Sequence, residues 1–175
     1  VPRRGAYVAS VSIRDINEIF EIRAALEALA CELAAERITD EEQERLERLL
    51  VGIGRAIEEH DMERIVRTDI EFHELLYQAA RNERLLAIIG NLREQLTRFR
   101  TISMSHPGRL KATLEEHRAI VDAIGSGDAR HARKVGARHM ENSEKTLLYA
   151  IEEQEKKTGT TLVKRKGKKS QEDAE

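Results

Sequence analysis

The sequence predicts an all-α protein, an antiparallel bundle of six or more helices with an internal metal site. Three observations point there. Apolar residues recur at helical spacing along most of the chain, as in Ile19, Ile22, Leu26, Leu29 and Leu33. Breaks are few, with two prolines and ten glycines in 175 residues, and capping signals stand beside several of them. Four polar residues, Asp69, His73, His117 and His139, occupy stripes that are otherwise apolar.

Residues 1–13 read as an extended or irregular linker, to which Tyr7, Val8 and Val11 lend some strand character. The body of the protein spans 14–157. Its first helix runs from about Ile16 to Arg37 on the stripe just given. Thr39-Asp40-Glu41-Glu42 is a capping box that opens the second, whose inner residues are Leu46, Leu49, Leu50, Ile53 and Ile57. Glycines at 52 and 54 weaken that helix or let a neighbour approach closely. Asp61 caps a third helix ending near Ala80. Asn82 starts a fourth, with Leu85, Leu86, Ile89, Leu92, Leu96 and Phe99 inside. Ser105-His106-Pro107-Gly108 is a loop. A fifth helix covers Arg109 to Ile124, and Gly125-Ser126-Gly127-Asp128 breaks the chain and caps a sixth that continues to about Gln154. Residues 158–175, with the basic run Lys164-Arg165-Lys166-Gly167-Lys168-Lys169, read as a solvated, disordered tail.

Composition narrows the function. Charged residues make up 35% with signs intermixed, the mark of helices with solvated outer faces. Net charge is -2, so the chain has no general nucleic-acid footprint. Aromatics at 3% argue against a stacking platform for single strands. Cys31 is alone, which excludes an internal disulfide and reads as a small buried thiol. No signal peptide and no long apolar run appears, so a cytoplasmic protein without membrane contact is expected.

The four inward polar residues carry the chemistry. Asp69 and His73 are four apart and share one helical face. His117 replaces an aliphatic residue among Leu110, Leu114, Val121 and Ile124, and His139 lies between Val135 and Ser143. A carboxylate inside a core is costly unless paired, and three imidazoles plus one carboxylate converging on a cation would pair it. Any one of these histidines alone reads more simply as a hydrogen-bonded core residue; four on three helices favour a divalent transition metal, zinc first, with nickel or manganese as alternatives. His60, His106 and His131 fall at a junction, in a loop and on another face, so they are not ligands.

These residues also carry a resemblance. Asp69-x-x-x-His73, then Glu116-His117-Arg118-Ala119-Ile120 followed by Ala123-Ile124 and Asp128, then Ala137-Arg138-His139-Met140, resemble the C-terminal ligand-binding FCD domain of the FadR subfamily of GntR transcriptional regulators. Asn82-x-x-Leu85, Pro107-Gly108-Arg109 and Arg23-x-x-Leu26-Glu27 fit the same pattern, which covers about residues 14–150. The resemblance implies a helical domain that forms a homodimer, binds a small organic acid and controls an N-terminal winged helix-turn-helix, absent from this chain, that meets operator DNA. It assigns Asp69, His73, His117 and His139 as metal ligands, and residues 1–13 as the end of the missing domain.

A planar guanidinium suits an acid effector, so Arg23, Arg98 and Arg100 are candidate contacts, each with exposed surface arginine as the plainer reading. Asn142, three residues after His139, is a candidate hydrogen-bond partner for an effector hydroxyl. No separate general base stands out, because Glu116 should point about 100° away from His117. The protein is therefore expected to be a sensor rather than an enzyme. The alternatives are a metalloenzyme, hydrolase or isomerase, acting on a small carboxylic acid, and a helical module whose metal only stabilises the fold.

Overall fold

The computed structural model describes residues 11–163. It contains α1 (Ile13–Arg37), α2 (Asp40–Glu58), α3 (Met62–Ala79), α4 (Glu83–Leu96), a 3-10 turn (Thr97–Phe99), α5 (Arg100–Met104), α6 (Arg109–Gly125) and α7 (Ala129–Thr158), and no strand among the described residues. The most extensive contact joins α1 to α7; α2 packs on α3, and α6 lies against both α7 and α2. Linker positions 1–10 and the basic run from Lys164 lie outside the described residues.

Helix starts follow their caps. Ser12 and Asp15 form a capping box at α1, three residues earlier than predicted, and Thr39 and Glu42 form one at α2. The side chains of Asp61, Asn82 and Asp128 accept from Arg64 N, Leu85 N and His131 N at 2.9, 3.0 and 2.9 Å. Gly108 (φ 80°) takes the left-handed turn that begins α6, a conformation costly to other residues.

Four expectations need correction. The predicted stripe of α1 is only half-buried at Leu26, Leu29 and Leu33 and exposed at Ile22; the buried face carries Ala30, Cys31, Ala34, Arg23 and Glu27 instead. Small residues win there because α7 comes very close: a Cβ on Gly136 would lie 2.6 Å from Cys31 Sγ. The glycines of α2 are not demanded by packing, since a Cβ at Gly52 or Gly54 would meet its nearest neighbour at 3.6 Å, an ordinary contact. The fourth predicted helix ends at Leu96, and Phe99 belongs to the 3-10 turn. Finally, α7 reaches Thr158 before Gly159 (φ 66°) stops it, and Val163 is 1% exposed in a cluster with Ile16, Ile19 and Phe20. Leu162 and Val163 therefore pack on the core, while 158–161 are exposed.

Candidate metal and anion site

Asp69 and His73 lie one turn apart on α3, His117 sits mid-α6 and His139 on α7, and all four are buried. The remaining residues of these faces are apolar, for example Phe72, Leu76, Ile120 and Val121, which is what packs the three helices together and turns the polar groups inward. Ring nitrogens of His73, His117 and His139 all lie within 4.8 Å of one another, a grouping able to hold a metal ion. Asp69 Oδ1 is 3.9 Å from His73 Nε2 and 3.8 Å from His117 Nε2. Those separations are too long for hydrogen bonds. They are short enough for both atoms to reach a common ion at bond lengths of about 2.0–2.2 Å.

The outer partners hold the rings in a ligating orientation. Tyr77 OH donates to Glu27 Oε2 at 2.5 Å, so its oxygen accepts from His73 Nδ1 at 3.1 Å, and His73 Nε2 keeps its lone pair. His139 Nδ1 donates to Glu116 Oε2 at 2.7 Å, which leaves its Nε2 uncommitted. Neither nitrogen of His117 has a hydrogen-bond partner, although the side chain is wholly buried and its ring stacks on Phe72 at 4.2 Å. A buried imidazole with two idle nitrogens is unusual and calls for a ligand. Burial pushes both His73 and His117 well below the usual histidine range, so they are neutral, the form that coordinates. Burial also raises the Asp69 carboxyl, against the pull of Arg100, whose Nη1 donates to Oδ2 at 2.8 Å. The donor set thus suits a borderline cation, with Oδ1 and three imidazoles on the inside.

Beside this cluster is a cavity of about 90 Å³ that reaches Asp69, His73 and His139. Four arginines line it: Arg23 from α1, Arg93 from α4, Arg100 from α5 and Arg109 from α6. Arg23 Nη2 pairs with the buried Glu27 at 2.6 Å, and Arg109 holds Glu116 with two bonds of 3.1 Å. Burial alone would raise both glutamates. Arg23 and the Tyr77 hydroxyl outweigh it for Glu27, and His139 and Arg109 outweigh it for Glu116, so both carboxyls fall below their ordinary value.

Of the predicted acid contacts, the structure brings Arg23 and Arg100 to the cavity and not the other two. Arg98 is exposed, over the Phe99 ring at 4.6 Å, and Asn142 donates to Glu116 Oε1 at 2.8 Å without lining the cavity. Sequence reasoning missed Glu116, Arg93 and Arg109. Glu116 does point away from His117, but toward His139 on the next helix. Arg109 had one sequence signal, its place in Pro107-Gly108-Arg109 at the start of an inward-facing helix; Arg93 had none.

Residues 18–142 match the FCD domain family. The chain is 29% identical over 153 residues to YdhC, an HTH-type transcriptional regulator of Bacillus subtilis, covering 86% of this chain and 68% of that protein. It is 29% identical over 140 residues to the HTH-type transcriptional repressor RspR of Escherichia coli, covering 80% of this chain and 61% of RspR. Among solved structures, E. coli McbR/YncC superposes with a TM-score of 0.71 at 25% identity, over 78% of this chain and 65% of that one. Streptococcus agalactiae GntR does so with 0.63 at 26% identity, over 75% and 58%. The chain therefore spans about three-fifths to two-thirds of the length of these proteins.

Proposed function

The chain belongs to the FCD domain family, found in GntR-family HTH-type transcriptional regulators, and from that premise we propose that it is a metal-dependent, acid-sensing and dimerising domain of the FadR subfamily. Asp69, His73, His117 and His139 hold one divalent transition metal, zinc first. A small organic acid then ligates that metal and is steadied by Arg23 and Arg100. The observation that carries this reading is His117, a buried imidazole whose nitrogens have no hydrogen-bond partner and whose Nε2 stands 3.8 Å from Asp69 Oδ1. Operator DNA would be met by a helix-turn-helix domain of the longer protein. A cytoplasmic location agrees with such a role, and among the described residues no helix is long and apolar enough to cross a membrane.

The metal would supply a Lewis-acidic position for the effector carboxylate. The chain's own residues do the rest. Glu116 and the Tyr77–Glu27 pair orient two of the imidazoles, Arg100 fixes the second oxygen of Asp69, and Phe72 shields His117 from water. A hydrolytic reading would need a free base beside the ligands. Glu116 is committed through both oxygens, to His139, Asn142 and Arg109, which favours sensing over turnover. Self-association is supported by Ile22 on α1 and Ile88 on α4, 50% and 51% exposed; Ile38, between α1 and α2, packs against the core and is not available for it.

Elemental analysis of untreated protein tests the metal. About one ion per chain is expected, with loss of most of it in His117→Ala and His139→Ala and a lowered unfolding temperature in both. Metal-free protein that cannot be reloaded, with unchanged stability in both variants, would sink the reading. Sedimentation at micromolar concentration tests the dimer, and a strict monomer counts against it.

A further inference from the structure

The charges around the cavity do not balance. Three of its four guanidinium groups have a carboxylate each: Arg23 has Glu27, Arg100 has Asp69 and Arg109 has Glu116. Arg93 has none. Its guanidinium forms no ion pair or hydrogen bond among the described residues, and its Cζ lies over the Tyr77 ring, 5.4 Å from the centroid. It is half-buried on the cavity wall, where Glu27 and Asp69 feel its charge but no carboxylate meets it at ion-pair distance. One positive charge is therefore left over before any cation is added.

We propose that the effector is a dicarboxylate whose second carboxylate is received by Arg93, the guanidinium without a carboxylate partner on the cavity wall. The planar fork matches a carboxylate with two parallel hydrogen bonds, which a point charge does not. Arg93 is then the residue that selects for a second carboxylate, because Arg23, Arg100 and Arg109, though still able to donate to the metal-bound carboxylate, each already have a carboxylate partner. Ser103 and Thr113 line the same cavity and can meet a hydroxyl on the acid.

This rests on the acid-sensing reading above, and a matched pair of probes separates the two. Malate is lactate with one methyl hydrogen replaced by a carboxylate. Calorimetry on the metal-loaded chain should show malate binding at least tenfold more tightly than lactate. In Arg93→Gln that ratio should fall to about one, with lactate unchanged within about twofold; Arg93→Lys should be intermediate and serves if the glutamine variant is unstable. Inorganic phosphate should compete weakly. Lactate and malate binding equally, or Arg93→Gln weakening both alike, overturns the assignment to Arg93 and leaves the sensor standing. Phosphate displacing malate at equal concentration overturns the dicarboxylate. If neither acid binds with metal in place, both readings fall.

Discussion

A hydrogen atom where every other residue carries a Cβ decides how closely α1 and α7 approach, since a Cβ on Gly136 would stand 2.6 Å from Cys31 Sγ and 3.2 Å from its Cβ. Gly136→Ala should therefore cost about 1–3 kcal/mol by overpacking. Adding Cys31→Ala should return part of the loss, read as a positive coupling in a denaturant double-mutant cycle. Equal loss in the single and double variants would show that this contact is not the cause. Burial lifts the Cys31 thiol far above its ordinary range, so no reaction with thiol reagents is expected at pH 8 until the protein unfolds. The buried cysteine was legible from its neighbours in the sequence. Gly136 was not, because a lone glycine in a helix says nothing about which distant residue lies against it. The four inward polar residues were legible for the opposite reason: each violates an apolar stripe, so each announces itself locally. Their outer partners announce nothing. Glu116 and Arg93 look like ordinary charged residues until the fold brings His139 and Tyr77 beside them.

Helix ends were the most readable elements, because a cap needs only residues three apart. The N-terminus of α2 is held by Thr39 and Glu42, with Arg81 from beyond α3 on Glu42 Oε2 at 2.8 Å. Thr39→Ala should cost about 0.5–2 kcal/mol. Slight burial raises the Glu42 carboxyl, but the Thr39 amide and Arg81 outweigh it, so its folded value is depressed. The sign follows from linkage: the stabilisation is present above the ordinary carboxylate range and is lost as pH falls through the depressed value. Glu42→Gln should accordingly be less stable than the parent at pH 7, with the gap closing below about pH 4. A pH-independent gap in urea melts would refute this. His60 follows α2 with φ 55°, a left-handed conformation that costs a residue with a Cβ about 1 kcal/mol. His60→Gly should raise stability by a fraction of that, since glycine also gains freedom when unfolded. The stop of α4 at Leu96 escaped sequence reading because no proline or glycine marks it and the apolar spacing runs on through Phe99.

At the scale of the whole molecule the bundle was legible and its inner surface was not. Periodicity located the helices, yet the buried side of α1 carries alanines, a cysteine and the Arg23–Glu27 pair, and hydrophobicity alone favoured the leucines. The proposed metal would tie α3, α6 and α7 together, so chelation should lower the unfolding temperature and metal at a hundredfold excess over its dissociation constant should add about 2.7 kcal/mol. The α1–α7 contact also has a consequence for how the chain is made. Cys31 and Gly136 are about a hundred residues apart, so α7 leaves the ribosome about a hundred residues after the helix it covers. Until then the side of α1 around Cys31 that Gly136 approaches stays uncovered, although α3 can already meet the Arg23–Glu27 pair through Tyr77. Synthesis would pass through an interval of protease sensitivity at that face, ended when α7 docks. The same docking brings in His139, so a nascent chain could not assemble its full set of donors before that moment.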